Sequence, residues 1–456
     1  MKPLCFVLMP FGRKPEGTGR IIDFDAVYNQ IIAPAIEAAG MDPVRADQEE
    51  IGGTIHKPMF ERLMLCDYAV ADVTGANPNV YYELGIRHAL RPRSTLIIFA
   101  DNTALPFDIA QQRGVPYRLD ASGGIVDAEN DIRLIAQRLT TANENAHDDS
   151  PLFQMIDGMP RIEVDHAKTD IFRDRVEIAK EYRTALASAR KKGVEAVRAV
   201  ADDPRLADLR HVEAGIIVDL LLSFRAIGTA EGCREMIALH ARMPKELQHA
   251  RLVREQLGFA LNRVGRSDEA EQVLTEVIRE FGPNSETNGL LGRVYKDLWE
   301  KARKDGQRIP ARGYLKRAIE TYRAGFEADW RDAYPGINAV TLMELQDKPD
   351  PAQNDLLPVV RYAASQRANR DDGNAGDYWD HATLLELAVL ARDEEGAEDS
   401  AAHALSLVRE PWEPATTARN LRLIREAREA RGEDVAWLVE IEEALADAES
   451  RMQAAG

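Results

Sequence analysis

The sequence predicts an α/β flavodoxin-like parallel-sheet domain followed by an all-α solenoid of paired helices. Through residues 1–146, short apolar runs alternate with amphipathic helical patterns, an order typical of βαβ units and a parallel sheet. Over residues 169–456 the strand signal is lost, and Ala, Leu, Arg and Glu recur at helical spacing. Residues 147–168 combine acids with Pro and Gly, which predicts a linker between the two domains.

The N-terminal domain contains five predicted strands, which are short and rich in apolar or β-branched residues. They cover residues 4–10, 42–47, 68–73, 94–101 and 115–120. Helical patterns fill the intervals and cover residues 24–40, 55–67, 79–90 and 127–146. We therefore expect a flavodoxin-like open sheet, whose ligands bind beyond the carboxyl ends of the strands.

The C-terminal half carries a repeat of the tetratricopeptide type. In LGFALNRVGRSDEAEQVLTEVIREFGP (257–283), the spacing of Leu, Gly and Ala is close to the tetratricopeptide pattern. A second copy begins at 290–297 and resumes at 314–330 after an insertion, and a weaker third copy covers 384–411. We predict a tetratricopeptide-like solenoid, in which stacked helix pairs bury each other's apolar faces. A non-repetitive helical bundle is the alternative.

Composition and charge exclude several classes of protein. The net charge of −18 over 456 residues argues against a general nucleic-acid binder, which needs a basic surface. No run approaches the roughly 18 apolar residues that cross a bilayer, so we predict no membrane span. The three cysteines, Cys5, Cys66 and Cys233, lie far apart without ligand spacing. This pattern fits a reducing cytoplasm and predicts no disulfide, no metal site and no cofactor.

The stretch DVTGANPNVYYELG (72–85) lies at the predicted carboxyl end of the third strand. Glu83 falls about one turn inside the next helix, where the helix dipole favours an acid and either Asn77 or Asn79 can cap the helix. Alternatively, Glu83 and Asp72 are a pair of carboxylates in a ligand crevice, an arrangement that suits glycosidic chemistry.

Other polar residues are predicted at the same edge of the sheet. The first strand leads into MPFGRKPEGTGR (9–20), whose glycines allow close backbone approach and whose arginines suit an anion. The second strand delivers Arg45 and Asp47 to that edge. The predicted substrate-binding residues are Met9, Phe11, Gly12, Arg13, Asp47, Asn77, Asn79 and Tyr82.

Two stretches, CFVLMPFG (5–12) and YAVADVTGANPNVYYELGIRHAL (68–90), resemble the nucleoside deoxyribosyltransferase and deoxyribohydrolase superfamily, which is related in fold to TIR domains. The resemblance covers about residues 3–140. It implies that Glu83 is the nucleophile on the anomeric carbon of the sugar, and that Gly12 and Arg13 hold a 5′-phosphate. We assign Asp72 as the proton or hydroxyl partner.

One position departs from that superfamily. Its hydrolases carry a further catalytic Asp about two dozen residues before the nucleophile, and Met59 occupies the corresponding position here. Protonation of the leaving group must then come from Asp72, Asp47, His56 or the substrate. The implied chemistry is therefore altered, slow or absent.

The helical half resembles the TRAFs-binding regulatory region of the apoptosis signal-regulating kinases, which are mitogen-activated kinase kinase kinases. The stretches that carry the resemblance are ETNGLLGRVYKD (286–297), GFEADWRDAYPGINAVTLMEL (325–345), YWDHATLLELAVLARD (378–393) and PWEPATTARNLRLI (411–424). It covers about residues 170–440 and implies a signalling sensor or scaffold. The kinase signatures, a glycine-rich loop, Val-Ala-Ile-Lys and His-Arg-Asp, are missing from the sequence.

Five residues of the helical half are more polar than helix packing requires: Arg293, Tyr295, Lys296, Tyr334 and Asn338. One interpretation is that they form hydrogen bonds between repeats and a tight turn. The other is a ligand pocket on the concave face, where basic and aromatic groups hold a nucleotide-derived signal.

Two functional hypotheses result. The first is an N-glycosidic hydrolase or transferase acting on a nucleoside, a nucleotide or a nucleotide-derived signal, with the helical repeats as its sensor. The alternative is a non-enzymatic scaffold that senses a nucleotide or recruits proteins. The expected partners are a nucleotide-type small molecule, a protein bound by the repeats, and a second copy of the chain, because deoxyribosyltransferase-type sites are often completed by a neighbouring subunit.

Overall fold

The computed structural model describes residues 2–16, 20–45, 56–110, 114–144, 148–161, 166–368, 377–410 and 412–455. The chain divides into two compact units, Met1–Ser223 and Phe224–Gly456, and each is considered by itself. The predicted α/β domain lies in the first unit and the predicted repeats lie in the second.

In the described part of the chain, five parallel strands form one sheet in the order β4-β1-β5-β6-β7. The strands are β1 Leu4–Leu8, β4 Asp42–Arg45, β5 Tyr68–Asp72, β6 Thr95–Ala100 and β7 Val115–Tyr117. This topology confirms the predicted open parallel sheet. The strand order reverses at β1, so the ligand crevice expected of such sheets lies beyond the carboxyl ends of β1 and its neighbours.

Apolar residues cover both faces of this sheet, and they alternate along the strands as the pleat requires. Cys5 and Val7 of β1 belong to one buried cluster, together with residues of the helices that follow β3 and β7. Phe6 and Leu8 belong to the cluster on the opposite face. Short strands buried on both sides read as continuous apolar runs, which is why they could be located from the sequence.

The helices of the first unit lie between and after the strands. They are α1 Phe24–Val27, α2 Ala33–Ala38, α3 His56–Leu65, α4 Pro78–Leu90, α5 Phe107–Ala110, α6 Ala128–Glu144, α7 Pro151–Met155, α8 His166–Arg190, α9 Val194–Ala201 and α10 Ala214–Ile227, the last of which ends in the second unit. A π-helical turn, Tyr28–Ile32, separates α1 from α2 where one helix was predicted. Pro34 follows this turn and lacks the N–H that a regular α-helix would use there.

The segment after β1 differs from the open glycine-rich loop that the sequence predicted. Arg13–Pro15 (β2) pairs antiparallel with Ile21–Asp23 (β3) to form a hairpin. Gly12 precedes β2 with a φ of +63°, a backbone conformation that favours glycine. The hairpin fixes the backbone of this segment through its own hydrogen bonds.

The helices beyond the predicted linker pack on the α/β domain. Phe172 of α8 is buried in the same cluster as Met59 and Leu63 of α3. Arg62 of α3 also forms an ion pair of 2.9 Å with Glu213, just before α10. The first unit is therefore larger than the predicted α/β domain, while the linker at 147–168 stays a prediction.

The second unit consists of antiparallel helix pairs, which confirms the all-α solenoid. Its helices are α11 Ala230–Arg242, α12 Lys245–Gln248, α13 Arg251–Arg263, α14 Ser267–Phe281, α15 Ser285–Lys304, α16 Arg308–Ala328, α17 Ala333–Glu344, α18 Ala352–Ala368, α19 Tyr378–Ala391, α20 Glu394–Ser406, α21 Trp412–Ala430 and α22 Trp437–Ala455. Glycines allow the helices of a pair to approach closely. A Cβ on Gly258 would lie 2.6 Å from Leu274, and one on Gly292 would lie 2.7 Å from Tyr322.

The insertion predicted within the second repeat lengthens the helices of that pair. Residues 300–313 extend α15 and α16 and leave only a short turn between them, so this is the longest pair in the unit's described part. Gly306 in that turn has a φ of +70°, a backbone conformation that favours glycine. No helix of the described residues has the length and apolar character needed to cross a membrane.

Candidate functional site

The candidate site lies at the carboxyl ends of β1, β4 and β5. Helix α4 begins there at Pro78, and the Asn77 side chain caps it by accepting hydrogen bonds from the backbone N–H groups of Asn79 (2.9 Å) and Val80 (3.4 Å). Asn77 is thus the N-cap residue, and the exposed Asn79 donates its backbone N–H to that cap. The cap fixes the backbone of the first turn of α4. Glu83 lies in the turn that follows.

Asp72 does not face the crevice, contrary to the prediction. Its side chain is fully buried. One carboxylate oxygen accepts from the Thr74 backbone N–H at 3.0 Å, and the other accepts from the Tyr117 hydroxyl at 2.9 Å. Thr74 extends this network, because its hydroxyl lies 3.0 Å from that of Tyr117 and accepts from the Ala100 N–H at 2.8 Å.

The Asp72 network joins the ends of β5, β6 and β7 and so fixes the turn before α4. Burial raises the pKa of Asp72 to about 6, against the opposing effect of its hydrogen bonds. A carboxylate with both oxygens engaged inside the protein positions the backbone around it. It offers no oxygen to a ligand in the crevice.

Glu83, unlike Asp72, has a carboxylate that the described residues leave available. Its side chain is half-buried, and burial raises its pKa to about 7. Within the described residues, no hydrogen bond or ion pair to its carboxylate is formed. Glu83 is therefore partly protonated at neutral pH and able to accept or donate a proton at a ligand.

The expected second acid is absent at the position that the resemblance indicated. Met59 is 9% exposed and packs in the apolar cluster with Leu63 and Leu84. A carboxylate there would be buried among aliphatic side chains at a high desolvation cost. The other two groups considered for proton transfer, Asp47 and the His56 side chain, lie outside the described part of the structure.

The arginines of the hairpin are already engaged. The Arg13 Nε donates to Asp23 at 3.2 Å, across the β2–β3 pair. Arg20 forms a 2.9 Å ion pair with Glu16 and donates to the Asp101 carbonyl at 3.1 Å. These contacts leave the predicted phosphate loop with fewer free donors than its sequence indicated.

The remaining predicted crevice residues differ in how far their side chains are exposed to solvent. Met9 is buried in the core and Phe11 lies partly exposed next to Arg45, with 4.7 Å between the guanidinium carbon and the ring centroid. Tyr82 is 61% exposed. Its neighbour Tyr81 points inward instead and donates to the Val73 carbonyl at 3.4 Å.

In the second unit, four of the five predicted polar residues lie together. The Lys296 Nζ donates to the Asn338 side-chain oxygen at 3.2 Å, and the Asn338 amide donates to the Tyr334 carbonyl at 2.9 Å. Arg293 lies one turn before Lys296 and donates to Asp297 at 2.8 Å. Lys296 is buried, whereas 48% of Tyr334 is exposed.

Tyr295 does not join this group. Its hydroxyl accepts from Arg317 of α16 at 2.6 Å, and the same guanidinium lies over its ring at 4.2 Å. Residues 293 and 295 are about 200° apart around a helix, so their side chains leave on opposite sides. The spacing alone could have excluded Tyr295.

Buried hydrogen bonds between alternate helices also occur at positions of this unit that the sequence pattern did not single out. The Thr287 hydroxyl of α15 donates to Glu255 of α13 at 2.5 Å. Further along, Glu386 of α19 accepts from Thr341 of α17 and, at 3.2 Å, from Asn420 of α21. The Lys296–Asn338 bond belongs to this set, which favours the interpretation that these polar residues join neighbouring repeats.

Comparison with known proteins adds to this geometry. The sequence model of the MAP3K TRAFs-binding domain matches residues 80–440. The mitogen-activated protein kinase kinase kinase nsy-1 of Caenorhabditis elegans is 28% identical over 221 residues, which cover 45% of this chain and 14% of that protein. The chain therefore spans only a small part of this relative.

Two solved structures are similar in part. One is TTC0263, a thermophilic TPR protein of Thermus thermophilus, with 16% identity, a TM-score of 0.34, and coverage of 46% of this chain and 98% of that one. The other is a tetratricopeptide repeat protein of Parabacteroides merdae, with 10% identity, a TM-score of 0.33, and coverage of 61% and 98%.

Proposed function

Because this chain belongs to the MAP3K TRAFs-binding domain family, we propose that it is a signalling scaffold. Its helical unit recruits a protein partner, and its α/β domain binds a nucleotide-type ligand. The observation that carries the proposal is the family match over residues 80–440, which spans most of the helical unit. The family is named for binding TRAFs, so a TRAF-type protein is the first partner to test.

A surface in the second unit supports protein recruitment. Trp412, at the start of α21, is 57% exposed, and its ring centroid lies 5.4 Å from that of Trp379 at the start of α19. Tyr378 packs edge-on against Trp379 at 5.2 Å and anchors the group to the helical core. Exposed aromatic side chains held in place by their neighbours are the groups that dominate protein–protein interfaces.

Replacing Trp412 with Ala should weaken partner binding more than tenfold, the effect expected at an interface hot spot. The matched control is Trp330→Ala, since Trp330 is also exposed, at 68%, but belongs to another helix connection. The measurement is calorimetric titration with a TRAF domain. It is followed by titration with any protein that co-purifies from the source cells. A partner that binds W412A as tightly as the wild type would contradict the assignment of this surface, and the absence of any stoichiometric partner would contradict recruitment.

The second candidate function is N-glycosidic hydrolysis or transfer with Glu83 as nucleophile. The observation that favours it is the availability of the Glu83 carboxylate at the crevice, half-buried and without a partner in the described residues. Such a reaction needs ionised Glu83, so its rate would rise with pH and level off above about 7. Among the described residues, buried Asp72 and apolar Met59 offer no proton to the leaving group, which favours binding over rapid turnover.

A further inference from the structure

Arg45 is the last residue of β4 and lies at the same sheet edge as Phe11. Only 7% of its side chain is exposed. Its guanidinium carbon is 4.7 Å from the ring centroid of Phe11 and 4.7 Å from that of Tyr28. Two aromatic rings therefore pack against the guanidinium, whose N–H groups donate hydrogen bonds from its edges.

Among the described residues, few acceptors use the donors of Arg45. A guanidinium has five N–H groups, and in the described part of the chain a single hydrogen bond uses them, from one terminal nitrogen to Asp25. The Arg45 Nε is buried and has no hydrogen-bond partner there. A buried donor left without an acceptor is destabilising, so its retention requires an explanation.

Other buried arginines of this protein form several hydrogen bonds through their guanidinium groups. The guanidinium of Arg87 donates to the carbonyls of Leu63, Cys66 and Asp67. That of Arg428 donates to Glu344 and to two carbonyls of α19. Arg45 is also buried, at 9% exposure against 0% for Arg87 and 1% for Arg428, yet among the described residues its Nε has no acceptor.

The hairpin arginines are less suited to this role. The Arg13 Nε is paired with Asp23, and 36% of the Arg13 side chain is exposed to solvent. Arg20 is held by Glu16 and Asp101. A preorganised guanidinium loses less entropy and less hydration on binding an anion than an exposed, paired one.

We propose that Arg45 binds the phosphate ester of a nucleotide in the crevice. The planar edge that carries Nε and a terminal nitrogen matches two oxygens of a phosphate in a bidentate arrangement. Asp25, whose side chain is 52% exposed, accepts from one terminal nitrogen and so restrains the orientation of the guanidinium. This rests on the ligand-binding part of the proposed function and names its chemical class, a phosphorylated rather than a free nucleoside.

The test compares binding of a deoxynucleoside monophosphate, the matching nucleoside and inorganic phosphate by calorimetry, in the wild type, R45M, R45K and R13M. We expect the wild type to bind the monophosphate at least tenfold more tightly than the nucleoside, and inorganic phosphate to compete with it. R45M should lose this preference and R45K should lose most of it, because an ammonium lacks the planar fork. R13M should keep it.

Each outcome separates the proposals. If R45M keeps the preference, or R13M alone loses it, Arg45 is not the phosphate group while nucleotide binding stands. If the wild type binds neither nucleotide nor phosphate, both the inference and the ligand-binding part of the proposed function fail. Binding of inorganic phosphate without the monophosphate would assign the site to the free ion and overturn the nucleotide inference. Thermal unfolding of each variant verifies that a loss of binding does not come from unfolding.

Discussion

Replacing Arg87 with Met should lower the stability of the N-terminal unit by about 3–5 kcal/mol. Arg87 is fully buried. Its guanidinium donates at 2.7 Å to the Leu63 carbonyl in the last turn of α3 and at 2.9 Å to the carbonyl of Cys66, which follows α3. It also reaches the Asp67 carbonyl at 3.2 Å. Met would remove the Arg87 donor from all three buried carbonyls. The Cys66 carbonyl would keep its bond from Arg91 (3.1 Å) and the Asp67 carbonyl its bond from the Ser94 hydroxyl (2.5 Å), so the Leu63 carbonyl loses most.

Hydrogen exchange of the amides in α3 and β5 measures this effect, because the tryptophans at 299, 330, 379, 412 and 437 all lie in the second unit. R87K should recover little, since an ammonium cannot reach three carbonyls with the geometry of the fork. The exposed Arg93 supplies the matched control, R93M. Equal protection in R87M and R93M would show that the network contributes no stability.

Replacing Arg428 with Met should destabilise the helical unit by a similar amount, about 3–5 kcal/mol. Arg428 is 1% exposed and donates to Glu344 of α17 at 2.8 Å. Its terminal nitrogens donate to the carbonyls of Val389 at 3.0 Å and Leu390 at 3.2 Å, at the end of α19. One side chain of α21 therefore joins three helices, and its loss leaves a buried carboxylate with weaker compensation.

Urea unfolding followed by tryptophan fluorescence reports on this unit alone. Arg422, whose side chain is 56% exposed in the same helix, provides the control variant R422M, for which we expect a change within about 0.5 kcal/mol. The double variant E344M/R428M should regain part of the lost stability, because it also removes the buried Glu344 carboxylate that R428M leaves without its Arg428 partner. A single R428M variant as stable as R422M would contradict this account of the helical core.

The secondary-structure elements that could be predicted are those whose own residues carry a clear apolar or glycine pattern. Leu4–Leu8 reads as a strand because every residue in it is buried, and the helical half reads as repeats because glycines such as Gly258 and Gly292 recur where helices touch. The β2–β3 hairpin was missed since Arg13–Pro15 is exposed throughout and has no apolar pattern. Charged exposed residues look the same in a loop and in a short hairpin.

The site could be predicted only in part, because its geometry depends on residues distant in sequence. The buried Asp72 accepts a hydrogen bond from Tyr117, which lies forty-five residues later on β7. No local sequence pattern near Asp72 could indicate this partner. Arg45 was visible as a charge at a strand end, but its enclosure by Phe11 and Tyr28 depends on two other segments. Glu83 could be predicted as a site residue from its position in α4 alone. Its raised pKa results from the burial of its side chain at that position.

The central claim is that this chain binds its ligand and recruits partners, and that it does not consume the ligand quickly. The direct measurement is a single-turnover incubation of a deoxynucleoside monophosphate with excess protein at about pH 8, above the raised pKa of Glu83, with bound nucleotide and free base quantified in the same samples. We predict that the nucleotide is bound and recovered intact, with base release equal in the wild type and in Glu83→Gln. Rapid release of base that falls at least a hundredfold in E83Q would contradict the claim and establish the glycosidic reaction instead.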